Sequence, residues 1–240
     1  LVLILDCAHA LETTWQTKPL HQFAHYSCYS FYATKNLTTA EGGAIVCPAD
    51  KLEQVRALSL HGMSRAAWKR YAGGSWRYDI IATGYKANLT DIHAALGLAQ
   101  MPQLRKNHAR RIKLSERYTS ALQHLPVSVQ QLPAGANGAE HARHLFCISV
   151  GVNAGFTRED IMTEFSAQGI GFSVHFIPIY EFSSVRDKYG FAATDYPATA
   201  EYFQGALSLP LYPTLSDENQ SEVINALLRV AAGNAAAKAK

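Results

Sequence analysis

Residues Ser27 to Val46 read SCYSFYATKNLTTAEGGAIV, and the division of this stretch decides the fold. Tyr26 to Tyr32 is aromatic and β-prone, the composition of a buried strand. The run breaks at Ala33-Thr34-Lys35-Asn36, a polar turn with one lysine. Thr38, Thr39, Glu41 and the pair Gly42-Gly43 then lead into a second apolar run, Ala44 to Cys47. A lysine held between two buried strands is costly as a charge, because desolvation favours its neutral form. A neutral amine attacks carbonyls, which makes Lys35 a candidate nucleophile. The same spacing also describes an ordinary loop lysine in solvent.

Upstream, Leu1 to Leu5 is a continuous apolar run, the pattern of a strand buried on both faces of a parallel sheet. Asp6 ends it, and open α/β sheets gather ligands at the carboxyl ends of their strands. An aspartate there is equally a loop or cap residue. His9, three residues on, reads by itself as a satisfied core histidine. Leu11 to His25 carries Trp15 and Pro19 without a sustained period and reads as a connecting loop. His21 and His25 are four apart, but the glutamate of a zinc helix is missing and Pro19 opposes a helix, so no metal site is expected.

Downstream, Leu52, Val55, Leu58 and Ser59 repeat with helical rhythm through Asp50 to Leu60, and Gly62 suits the helix end. Residues 62 to 83 form a long loop rich in Gly and aromatics. Its Arg65, Lys69, Arg70 and Arg77 suit a nucleotide diphosphate or simply a solvated face. Thr90 reads as an N-cap with Asp91 in the first turn of a long helix. Pro102 must kink or divide that helix. The basic amphipathic segment Lys106 to Leu122 continues it. Leu104, Ile112, Leu114, Tyr118 and Leu122 suit burial, and Arg105, Arg110, Arg111 and Arg117 suit solvent.

The second half reads as a smaller α+β unit. Val127 to Leu132, Leu145 to Gly151 and Ile170 to Ile177 are strand-like, with Pro178 ending the last. Thr157-x-x-Asp160 is a capping-box pattern opening a helix that runs through Gln168 and stops at Gly169. Ser216 is placed to cap a final helix whose Val223, Ile224, Leu227 and Leu228 face a core. From Ala231 the chain is Ala/Lys-rich and expected to fray.

Nearly half of the 240 residues are apolar and 17% are charged, which excludes a disordered chain. A formal charge of +3, from 22 basic and 19 acidic residues, is too balanced to imply nucleic-acid binding. No apolar run is long enough to span a membrane. Cys7, Cys28, Cys47 and Cys147 are widely spaced and read as reduced thiols of a cytoplasmic protein.

Ser30-Phe31-Tyr32-Ala33-Thr34-Lys35-Asn36 followed by Thr38-Thr39-Ala40-Glu41-Gly42-Gly43 resembles the lysine segment of the DegT/DnrJ/EryC1/StrS aminotransferases. Asp6-Cys7-Ala8-His9-Ala10 matches upstream. Gly84-Tyr85-Lys86-Ala87-Asn88-Leu89-Thr90-Asp91-Ile92, with Ala94 to Gln100, matches downstream. Weaker similarity continues at His144-Leu145-Phe146, Val174-His175-Phe176 and Leu209 to Pro213. The resemblance implies an α/β fold of the fold-type-I pyridoxal-phosphate (PLP) transferases. Residues 1–104 would be the remainder of the large PLP-binding domain, and 105–240 a linking helix and a small α+β domain.

It further implies that Lys35 carries PLP covalently and then moves the substrate proton. Asp6 would pair with the pyridine nitrogen, His9 with the phenolic oxygen and Ser30 with the phosphate. Asn88 would reach the phosphate of the neighbouring subunit in a homodimer with shared sites; read alone, it merely precedes the cap at Thr90. His175 would face the substrate, or else pack at a domain edge. The implied reaction moves an amino group, with glutamate the expected donor, to a nucleotide-linked keto-sugar for polysaccharide or secondary-metabolite synthesis. Lipopolysaccharide is one such polysaccharide. Sugar dehydratases of the same family have histidine where Lys35 stands, which argues against that activity. The chain opens without methionine inside its first strand, so the family's preceding part, with its phosphate contacts and stacking ring, is expected to lie outside it. That leaves an inactive homologue or fragment, serving as a binding or assembly subunit, as the competing expectation.

Overall fold

The computed structural model describes residues 1–64, 78–132 and 136–238. The basic positions Arg65, Lys69, Arg70 and Arg77 lie outside the described residues. The chain divides into two compact units, Leu1–Arg105 with Gly135–Ala142, and Lys106–Ala134 with Arg143–Lys240.

The first unit begins with β1 (Ile4–Asp6), a two-strand hairpin of β2 (Thr14–Trp15) and β3 (Lys18–Pro19), then β4 (Tyr26–Ser30) and β5 (Gly43–Val46). Positive φ at Gln16 (50°) and Thr17 (65°) makes the hairpin turn, where the sequence suggested plain loop. The main sheet has the order β1-β4-β5. β1 and β4 are parallel, with Asp6 opposite Cys28, and β5 returns antiparallel, with Ser30 opposite Gly43.

The expected burial of these strands is not met in full. Among the described residues β1 and β5 are the sheet's two edges, and Ile4 (62% exposed) and Ile45 (51%) are exposed. A parallel sheet hides its apolar strands only where helices cover its faces. Cys7, Ser27, Leu37 and Thr39 are among the residues that are buried.

Two helices follow, α1 (Leu52–Ser59) and α2 (Asp91–Gln100). α1 ends with His61 in left-handed backbone (φ 57°) and the Gly62 N–H donating to Ala57 O at 2.8 Å. Gly62 is itself at φ 72°, and a Cβ there would stand 1.7 Å from Ala82 O. Thr90 caps α2 as expected, its Oγ1 accepting from the His93 N–H at 3.3 Å. Pro102 sits in a 3-10 turn, Met101–Gln103, that divides α2 from α3 (Leu104–Leu122).

The second unit holds the larger core. After α3 come β6 (Val127–Val129), β7 (Phe146–Val150), α4 (Arg158–Ala167), α5 (Ser183–Tyr189), α6 (Pro197–Gly205), β8 (Ala206–Leu209) and α7 (Asp217–Lys238). β6, β7 and β8 make an antiparallel sheet in that order. Along β7, Phe146, Ile148 and Val150 are buried while Cys147 and Ser149 point to the other face. The buried side packs with Leu114, Tyr118, Phe165, Leu207 and Leu227. The Thr157–Asp160 capping box forms in full, and Gly169 follows α4 at φ 67°. Ser216 Oγ accepts from the Asn219 N–H at 3.1 Å, capping α7.

Three local expectations change. Ile170 to Ile177 forms no strand; it joins the sheet through one bridge, Ser173 to Ser208. Leu228 is exposed, and Ala226, three residues after Val223 on the same face, is buried instead. Arg111, expected in solvent, is buried, and its Nη1 donates to the carbonyls of Arg143, His144 and Leu211 at 3.0–3.3 Å. α7 runs as helix through Lys238.

Candidate active site

Because β1 and β4 run parallel and in register, Asp6 and Ser30 stand at the same, carboxyl, end of neighbouring strands. Asp6 is exposed, and its Oδ1 accepts from the Ala8 N–H at 2.9 Å, which turns the chain toward His9. His9 is exposed in that turn, where the Ala10 N–H donates to Cys7 O at 3.0 Å. Ser30 is half-buried, and its Oγ accepts from the Tyr32 N–H at 3.3 Å.

Lys35 is half-buried in the loop that leaves Ser30 and returns into β5. The loop is closed by the Thr39 N–H donating to Phe31 O and the Phe31 N–H donating to Gly42 O, both at 2.8 Å. The Lys35 N–H donates to Tyr32 O at 2.9 Å. Leu37 and Thr39 are buried beneath the loop.

The loop is also pinned from two sides. Asn36 Nδ2 donates to Glu12 Oε2 at 3.0 Å and to Ala142 O at 2.9 Å. Gln100, at the end of α2, accepts from the Thr38 N–H at 3.2 Å and donates to Thr38 O at 2.6 Å. α2 comes this close because position 97 is glycine: a Cβ there would lie 2.9 Å from Thr39 Cγ2. Asn36, Gln100 and Glu12 were given no role by sequence reasoning. Asn36 and Gln100 both stand inside the matched stretches, which was the available signal.

Beneath the strand ends lies a neutral layer. Burial raises the Cys7 thiol, and burial together with the nearby Cys7 thiol lifts the Tyr29 phenol to about 12. Both stay protonated at neutral pH.

Asn88 is half-buried in the same unit, just before α2. Its Oδ1 accepts from Lys86 Nζ at 2.5 Å. It lines a cavity of about 700 Å³ with Gly43, Ile45, Leu52, Met63 and Leu89. His175 belongs to the second unit, half-buried beside a cavity of about 550 Å³ that Ser173, Ser208, Tyr212 and Asn219 also line. Its Nδ1 is 2.7 Å from Ser208 Oγ.

An amine, a carboxylate, a histidine and a hydroxyl thus come from the ends of β1 and β4 and the loops that follow them, on an α/β frame. That is the frame of fold-type-I PLP-dependent transferases. The chain belongs to the DegT/DnrJ/EryC1/StrS aminotransferase family, which it matches over residues 1–228. It is 39% identical over 237 residues to the spore coat polysaccharide biosynthesis protein SpsC of Bacillus subtilis, covering 97% of this chain and 60% of that protein. Among solved structures it resembles the putative sugar aminotransferase Spr1654 of Streptococcus pneumoniae. The apo-form superposes with a TM-score of 0.87 at 31% identity, covering all of this chain and 59% of that one. The PMP-form and PLP-form of the same protein are each 32% identical to it. The chain therefore spans about 60% of the length of the relatives it matches.

Proposed function

We propose that the protein is a PLP-dependent aminotransferase that transfers an amino group, with glutamate as donor, to a keto-sugar carried on a nucleotide. The observation that carries this is the Lys35 loop, held on both sides by Asn36 and Gln100 beside the strand ends that present Asp6 and Ser30. The names of its relatives, a polysaccharide biosynthesis protein and a putative sugar aminotransferase, support a sugar as acceptor and a surface polysaccharide as destination.

The residues present suit PLP. An aldehyde asks for an amine, a pyridine nitrogen for a carboxylate, and a phosphate for neutral hydrogen-bond donors; Lys35, Asp6 and Ser30 are these three. Bound there, PLP supplies an electron sink that no side chain offers. The Asp6 carboxylate holds a proton on the ring nitrogen, since an adjacent negative charge favours the protonated form. The Ser30 hydroxyl donates to the phosphate, and the His9 ring hydrogen-bonds the phenolic oxygen. Lys35 Nζ would hold the cofactor's aldehyde carbon and would supply the base that moves a proton at the substrate carbon. Fixing the loop from both sides holds that amine in position, which is where much of the rate gain from orientation arises.

Asn88 serves the phosphate of a second copy. Exposed apolar residues on α2, Ile92 (77%) and Leu98 (67%), support a homodimer in which that helix is covered. His175 faces the substrate. The test is turnover: the purified protein, given PLP, glutamate and a nucleotide-linked keto-sugar, releases 2-oxoglutarate and amino-sugar, and Lys35→Ala abolishes both. Release of 2-oxoglutarate by the Lys35→Ala protein at the wild-type rate would contradict the reading.

A further inference from the structure

The outer face of the small sheet carries a polar chain that this function does not yet use. Cys147 on β7 and Ser208 on β8 are register partners, and their side chains meet with Sγ 3.3 Å from Oγ. Ser208 Oγ lies 2.7 Å from His175 Nδ1. The order is Cys147, Ser208, His175. The backbone fixes the last link: the Ser208 N–H donates to Ser173 O at 2.7 Å, and the Ser173 N–H to Ser208 O at 3.3 Å, two residues before the histidine.

Ser208 is 5% exposed and has one proton to give, so its direction matters. Two directions are open. In one, the Cys147 thiol S–H donates to Ser208 Oγ and the Ser208 O–H to His175 Nδ1. In the other, Nδ1–H donates to Ser208 Oγ and the Ser208 O–H to the thiol. The first pairs the hydroxyl with an imidazole nitrogen, the best acceptor of the three groups. The second places the hydroxyl donor on a weak sulfur acceptor.

We infer that Ser208, backed by Cys147, is a positioning residue that holds the His175 ring as its Nε2–H tautomer, with Nδ1 accepting from the Ser208 hydroxyl. Which nitrogen of a histidine carries the proton is set by the hydrogen bond the other makes. The cavity of about 550 Å³ that His175 and Ser208 line is then met by a ring of fixed orientation. The bearing on catalysis rests on the aminotransferase reading, in which His175 faces the substrate; the tautomer does not.

The experiment is ¹⁵N NMR of the protein labelled at histidine, with the His175 signals identified by their loss in His175→Gln. In the wild type, Nδ1, coupled to Hε1 alone, should lie far downfield of Nε2. Ser208→Ala should bring the two resonances together, Ser208→Thr should keep them apart, and Cys147→Ala should narrow the gap. A wild-type spectrum with the two positions exchanged overturns the inference even if no variant folds. So does a spectrum unaltered by Ser208→Ala. In turnover, Ser208→Ala should lower kcat/KM for the sugar about tenfold, the worth of one hydrogen bond, with recovery in Ser208→Thr. If the resonances move as expected while His175→Gln turns over normally, the tautomer stands and the substrate-facing role of His175 falls.

Discussion

The side chain of Asn36 donates to the carbonyl of Ala142 at 2.9 Å, across 106 residues of sequence. Asn36 follows Lys35, so a segment distant along the chain fixes the loop that carries the candidate catalytic amine. The same amide reaches Glu12. Asn36→Ala removes both bonds, worth about 1–2 kcal/mol together. The expected outcome is PLP binding weakened roughly tenfold, with the unfolding midpoint of the second unit unchanged. Titration of PLP absorbance and denaturant unfolding of the same variant check it.

That relationship marks the limit of what could be read from the sequence. Local chemistry was legible: the caps at Thr90, Thr157 and Ser216, the division at Pro102 and the strand end at Asp6 follow from residue type and spacing, whereas the second strand stops at Ser30, two residues short of the expected Tyr32. Arg111 was misread because an arginine on an amphipathic helix usually reaches water. Its fate is set by three carbonyls at positions 143, 144 and 211, which no helical period predicts. Ile170 to Ile177 has the composition of a strand, but among its residues only Ser173 bridges to the sheet, so pairing and not composition decided the element. The anchors Asn36 and Gln100 are likewise long-range contacts, visible in the sequence only as part of a matched motif.

Arg111→Met should destabilise the second unit by roughly 2–4 kcal/mol, because three carbonyls in a buried setting lose a charged donor together. Arg111→Lys should recover part of the loss, since an ammonium can reach some of the carbonyls but lacks the planar fork. Chemical denaturation of both variants, followed through the buried Tyr118, measures it.

The Arg110 guanidinium hydrogen-bonds the Asp217 carboxylate at 2.7 Å and holds its pKa below the ordinary 3.8. A carboxylate depressed in the folded state stabilises it in full above its ordinary value. That contribution is lost as the pH falls through the lower folded value. The second unit should therefore lose stability on acidification below about pH 4, and Asp217→Asn should show a shallower fall. The pair is exposed and the difference will be small, best read as the change in slope of unfolding midpoint against pH.

Shared sites make a prediction for mixed subunits. Lys35→Ala and Asn88→Ala proteins, each inactive alone, should regain part of the activity when mixed and allowed to exchange. A mixed dimer has one site with both lesions and one with neither. If Asn88 acts only within its own chain, every site keeps a lesion and mixing restores nothing.

Lys35 is proposed as the residue that holds the cofactor, and borohydride reduction of the PLP-loaded protein followed by peptide mapping is the decisive measurement. A single pyridoxyl group is expected, on the peptide containing Lys35, and no labelled peptide from the Lys35→Ala protein. Label on any other lysine, at full stoichiometry, would contradict it.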